Sequence, residues 1–185
     1  GQVNLNHDLT GNIAFNAANQ KVIVANGKTI NGNVDVAGGA HGKGILDIKQ
    51  GATVTDDIGA TKDLASVLIG SNVSGTLTVK GANLKAQNID FKSDGILKNT
   101  TADIEIKGNI RNESGANNKG TVQIGDNHDI KIIGNVGSNA DKGAIAALSY
   151  LSNNKIDIEG AGVWAQKITH DAAVGTGNAK GKLIV

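Results

Sequence analysis

Cysteine, proline and methionine are all absent from this chain of 185 residues, and aromatic side chains make up only 2% of it. Without cysteine there are no disulfides, thiol nucleophiles or thiolate metal sites. Cysteine-free composition suits a reducing compartment, and equally a protein threaded unfolded through a narrow pore. The scarcity of aromatics removes the usual bulk of a globular core, so burial must come from Ile, Val, Leu and Ala spread over many short segments. No charge dominates either. The formal net charge is +1, and Arg111 is the only arginine. With no basic stripe interleaved with aromatics, both the phosphate and the stacking contributions to nucleic-acid binding are weak, and no nucleic-acid partner is expected. No apolar run approaches the ~20 residues of a membrane helix, so the chain is not expected to span a bilayer as a helix. A start at Gly1 and the lack of Met suggest a fragment or mature piece of a longer chain.

Glycine, at 26 residues, is the most conspicuous presence, and asparagine adds roughly twenty more, above ordinary usage. There is no three-residue glycine period and no proline, so collagen is excluded. A hydrophobic content of 39% with little net charge also excludes disorder.

The dominant pattern has period two. Val34-Asp35-Val36, Leu46-Asp47-Ile48, Leu77-Thr78-Val79, Ile104-Glu105-Ile106, Val122-Gln123-Ile124, Ile130-Lys131-Ile132 and Ile156-Asp157-Ile158 all alternate apolar and polar residues. Each reads as a short strand with one buried face, separated by Gly, Asn, Asp and Ser turns. A loose repeat overlies this. Gly44-Ile45-Leu46-Asp47-Ile48 resembles Gly75-Thr76-Leu77-Thr78-Val79, Gly120-Thr121-Val122-Gln123-Ile124 and Gly181-Lys182-Leu183-Ile184-Val185. Gly32-Asn33-Val34, Gly108-Asn109-Ile110 and Gly134-Asn135-Val136 form a second set. A lone short strand cannot bury its apolar face, but stacked coils bury a continuous core. The fold expected is all-β: a parallel β-helix, residues 1–185 forming one solenoid segment of roughly eight coils, about 40 Å long at ~4.8 Å per coil. Thr61–Leu68 and Ala140–Leu151 have spacings that a short helix could use. Ala37–Gly44, Glu113–Gly120, Gly137–Gly143 and Asp171–Gly181 read as protruding loops.

Motifs that could carry chemistry are weak. His7-Asp8, His128-Asp129 and His170-Asp171 pair an imidazole with a carboxylate, but neighbours on a strand point to opposite faces, so exposed turns are the simpler reading, as for His41. Asp56-Asp57 is the best carboxylate pair for glycan acid/base chemistry. Supporting groups are few: one tryptophan (Trp164), one tyrosine (Tyr150) and Arg111. Trp164 reads as packing. Gly38-Gly39-Ala40-His41-Gly42 lacks the aspartate of a calcium-binding glycine repeat, and Gly181-Lys182 lacks the Ser/Thr and upstream glycine of a phosphate loop. Asn72-Val73-Ser74, Asn99-Thr100-Thr101 and Asn112-Glu113-Ser114 match the glycosylation acceptor pattern by chance in a chain of this composition. No catalytic, cofactor-binding or metal-binding residue is assigned, no cofactor is expected, and the chain is read as non-enzymatic.

The alternating Gly-x-Leu-x-Ile strands, together with Val54-Thr55-Asp56-Asp57-Ile58-Gly59-Ala60 and Ile133-Gly134-Asn135-Val136-Gly137, resemble the passenger domains of autotransporters, in particular the surface cell antigens of rickettsia-like bacteria. The resemblance is one of style across the whole chain. Gly32-Asn33-Val34-Asp35 and Gly108-Asn109-Ile110-Arg111 depart from it by lacking the second glycine. It implies a right-handed helix, display on the exterior of the outer membrane or secretion, and adhesion to a host-cell surface protein or glycan. Nothing matches a membrane barrel, so the segment would be part of a passenger. Alternatives are a structural stalk, a polysaccharide-degrading β-helix enzyme, or a surface-layer or filament subunit that self-associates through its end coils.

Overall fold

The computed structural model describes residues 1–99, 101–125, 128–151, 155–171 and 182–184. All regular structure among them is β-strand, and every strand pairing is parallel. The strands stack into a solenoid of about seven turns, close to the eight expected from spacing. Partners in register fall 19 to 27 residues apart, from Gln2 with Lys21 to Val136 with Val163.

Each turn visits three walls. The first runs through Gln2–Leu5, Lys21–Val24, Lys43–Ile48 and Leu64–Ile69. The second is the eight-stranded sheet from Leu9–Thr10 through Thr76–Val79 to Ala165–Asp171. The third begins with Ile13–Phe15 and Val34–Val36, passes through single bridges at Ile58 and Leu84, and continues in Ile130–Ile133 and Lys155–Glu159. Two nine-residue strands, Asn83–Phe91 and Ile104–Asn112, start on the third wall, bend at a register shift after Lys85, and end on the first.

The period-two pattern supplies the core. Alternate residues point inward and stack coil on coil in columns such as Ala52–Leu77–Leu97–Val122–Leu148 and Val22–Leu46–Val67–Ile89, nearly all fully buried. At roughly 25 cal/mol per Å² of apolar surface removed from water, such columns are the main stabilising contribution. The two phenylalanines, Phe15 and Phe91, are also inside. Room for each ring comes from a glycine a little over one turn later. A Cβ on Gly44 would fall within the ring of Phe15, and one on Gly120 within the ring of Phe91. The core thus admits an aromatic wherever the next layer is stripped of its side chain.

Two expectations are corrected. Thr61–Leu68 and Ala140–Leu151 hold no helix: the strands Leu64–Ile69 and Ile145–Leu151 occupy them. Each carries inward-facing apolar residues (Leu64, Val67, Ile69; Ile145, Leu148) that pair with neighbouring coils, and this burial overrides the local Ala/Leu preference for helix. Residues 172–181 of the expected Asp171–Gly181 loop lie outside the described residues, as does the glycine of Gly181-Lys182.

Candidate interaction surface

The Gly-Asn-Val/Ile repeat turns out to be a corner device. At Asn12, Asn33 and Asp57 the side-chain oxygen accepts the backbone N–H of the equivalent residue one coil later: Asn33 (2.9 Å), Asp57 (3.1 Å) and Asn83 (2.9 Å). A second ladder runs from Asn109 to the amide of Asn135 (3.2 Å) and from Asn135 to that of Ala161 (2.9 Å). A third uses Asp103 on Asp129 (2.9 Å) and Asp129 on Lys155 (2.7 Å). Corners break the strand ladder and leave amides without carbonyl partners, and these side chains supply the missing acceptors. In every case the acceptor sits on one coil and the amide on the following coil, so the ladders have a direction.

The same arrangement accounts for three of the carboxylates singled out in the sequence, while Asp56 is exposed and caps no amide among the described residues. Asp8 accepts the amide of Thr29 (2.9 Å), Asp57 caps Asn83, and Asp129 caps Lys155. Asp57 and Asp129 lie three coils apart, roughly 14 Å at ~4.8 Å per coil, beyond the 5–9 Å of a glycosidase pair. Among the described residues no three His, Cys, Asp or Glu side chains gather as a metal site. His7 lies in an exposed bend. His128 faces Asp103 (3.8 Å). His41 Nδ1 accepts the Asp63 amide (3.0 Å), while the Asp63 carboxylate pairs with Lys107 (2.9 Å). The side chains of Tyr150, His170 and Asp171 lie outside the described residues. Trp164 is partly buried with its ring over Gly162, and its backbone N–H donates to the Val136 carbonyl (2.7 Å) while its carbonyl accepts the Ile145 N–H (3.0 Å).

Asp35 is the most heavily bonded of the acids. Burial raises its pKa, but the Thr61 hydroxyl and amide and the Val36 and Lys62 amides outweigh that, leaving the carboxyl below its ordinary range. Arg111 grips the buried Asp90 through two bonds of 2.7 and 3.0 Å. That hydrogen bonding raises the guanidinium pKa against the opposing desolvation, with the charges of Asp90 and Glu113 adding to it.

Two residues central to the surface escaped the sequence reading. Asn99 and Asn112 occupy inward positions in otherwise apolar columns, Asn99 beside Val79 and Asn112 beside Phe91. The signal was present, since both fall on the inward phase of an alternating strand. Burial also removes Asn99 and Asn112 as glycan acceptors. Asn99 donates to the Ala102 carbonyl at a turn. Asn112 is a hub. Its amide group donates to the carbonyls of Ala116 (2.8 Å), Lys142 (2.8 Å) and Ala144 (3.0 Å), and its oxygen accepts from the Ser114 hydroxyl (2.7 Å) and amide (3.2 Å). It thereby ties together the two loops following Asn112 and Val136, which project from the first-to-second-wall corner on adjacent coils. Glu113, Asn117, Asn139, Asp141 and Lys142 lie exposed on them.

The walls beside this projection differ. The outer row of the second wall is Thr29, Thr53, Thr78, Lys98 and Gln123 in register, nearly uncharged. The third wall alternates sign: Lys85 meets Glu105 (3.1 Å), Lys131 meets Glu159 (3.0 Å), and Lys155 meets Asp157 (2.9 Å) beside a shallow groove of about 320 Å³. Hydrogen bonding to Glu159, with that residue's charge, raises the Lys131 pKa.

A solenoid with amide-capped corners, charged and hydroxylated walls and knitted projecting loops defines a β-helical scaffold. The chain is 32% identical over 120 residues to "Outer membrane protein A" of Rickettsia rickettsii, a stretch covering 64% of this chain and 5% of that protein. It is 28% identical over 174 residues to "Outer membrane protein A" of Rickettsia conorii (strain ATCC VR-613 / Malish 7), 92% of this chain and 8% of that protein. The chain therefore spans less than a tenth of the relatives it matches. No family model and no solved structure matches it.

Proposed function

We propose that this chain is a segment of a surface-exposed bacterial β-helix, held outside the outer membrane, that acts by adhesion to host cells or as the stalk presenting such an activity, without catalysis of its own. The observation that carries this reading is the Asn112 hub. It spends a buried amide on holding two projecting loops together, while Asp8, Asp57 and Asp129 each hold a backbone amide of the next coil. The names of the Rickettsia relatives support the location. The partner class that fits is a host-cell surface protein or glycan met by many shallow contacts along loops and walls.

The test is binding of the fluorescent chain to cultured host cells, beside a variant in which both loops are replaced by tight turns and circular dichroism confirms retained β structure. Saturable binding that drops at least several-fold in the loop variant is the expected result. Absence of saturable binding by the parent chain, or equal binding by both, would overturn the adhesive reading. Protease shaving of intact cells tests location separately: the segment should be cleaved without lysis.

A further inference from the structure

The structure distinguishes two Asn-Gly dipeptides that are chemically alike in sequence, Asn26-Gly27 and Asn31-Gly32. Both asparagines are exposed, and neither side chain makes a hydrogen bond among the described residues, unlike the corner asparagines at 12, 33, 109 and 135. The backbone differs. The Gly27 N–H donates to the Gly51 carbonyl (2.8 Å), so its nitrogen is engaged. The Gly32 N–H makes no hydrogen bond among the described residues, and the carbonyl of the same peptide group, that of Asn31, accepts the Gly11 N–H (3.0 Å). A donor on the carbonyl oxygen stabilises the charge that develops there when the amide nitrogen loses its proton.

We propose that Asn31 is a spontaneous modification site, at which the Gly32 nitrogen attacks the side-chain amide and converts Asn31 to aspartate and isoaspartate while Asn26 is spared. Gly32 is itself buried, so a hydroxide ion entering beside the exposed Asn31 side chain takes the proton from its nitrogen, which forms a bond to Asn31 Cγ. The Cγ–Nδ2 bond breaks, and ammonia leaves after taking a proton from solvent. Water then opens the five-membered imide at either carbonyl, leaving aspartate or isoaspartate in place of the asparagine, with no change in oxidation state. Glycine is required because a side chain on the attacking residue would hinder approach. The isoaspartyl product carries an extra methylene in the main chain. It displaces the carbonyl of this peptide group from Gly11 and shifts Asn33, which receives the cap of Asn12 and supplies that of Asp57. The modification therefore loosens the corner joining the first three coils.

The folded chain and a urea-unfolded sample are incubated in mildly alkaline buffer at body temperature and mapped by peptide mass spectrometry. Unfolded, the two sites should react at comparable rates. Folded, conversion at Asn31 should exceed that at Asn26 at least several-fold. Asn31→Gln should abolish the dominant product with an unchanged circular dichroism spectrum. Conversion of Asn26 at an equal or greater rate in the folded chain, or no conversion of folded Asn31, would overturn the proposal.

Discussion

At the scale of single residues, this protein uses side-chain amides and carboxylates as substitutes for backbone. Asn112 is the clearest case. Replacing it with Ala leaves the Ser114 hydroxyl and the carbonyls of Ala116, Lys142 and Ala144 to find new partners, so Asn112→Ala should lower stability by about 1–3 kcal/mol. Asn112→Asp should cost more, because a carboxylate faces those three carbonyl oxygens. Urea midpoints measure the loss, and hydrogen exchange should show it concentrated in the two loops. Asp35 makes a prediction about pH. Its carboxyl is lowered in the folded state, so its contribution is complete above the unfolded value near ~3.9 and disappears as pH falls through the folded value. The stability difference between the parent and Asp35→Asn should be full at neutral pH and shrink in acid. A difference that stays constant across that range would contradict the assignment.

At the scale of elements, one local motif serves several corners. Ile58-Gly59 lies on the third wall and Val136-Gly137 on the first, yet each has a fully buried branched residue followed by a glycine whose added Cβ would strike a carbonyl of the next coil, that of Lys85 or Trp164. The drifting spacing of the sequence repeat has this cause: similar words are used at different corners. The Phe–Gly pairs give the sharpest test at this scale. Gly120 and Gly115 both have positive φ (86° and 75°), but only Gly120 faces a ring. Gly120→Ala should cost about 2–5 kcal/mol from overpacking and backbone strain together. Gly115→Ala, with open space around its Cβ, should cost about 1 kcal/mol from strain alone. Thermal unfolding of the two variants side by side isolates the effect of the Phe91 ring.

At the scale of the whole molecule, stability is distributed along the stack, because each coil touches only its neighbours. Leu77, fully buried between Ala52 and Leu97, should cost about 2–5 kcal/mol on truncation to Ala. Val3, 56% exposed on the first coil, should cost under about 0.5 kcal/mol. Equal losses in chemical denaturation would argue against a column of coils as the source of stability. The polarity of the corner ladders is also a property of the whole. Since side-chain acceptors consistently serve the following coil, a single corner substitution such as Asn33→Ala disturbs the junction ahead of it more than the one behind.

The sequence by itself determined that this is a parallel β stack. The two-residue alternation fixes which side chains must leave water, and segments so short can hide them only against copies of themselves. It also carried the phase that puts Asn99 and Asn112 inside, although composition draws the eye to the more numerous corner asparagines. Which wall each strand joins was decided only by the tertiary structure. The Gly-Asn-Val/Ile motif fits more than one corner, and only the accumulated length of the preceding turns selects among them. The fate of the carboxylates was settled in the same way. Asp8, Asp57 and Asp129 are ordinary turn residues in sequence, and a backbone amide a full turn later, a neighbour brought close only by coiling, makes each of them a cap.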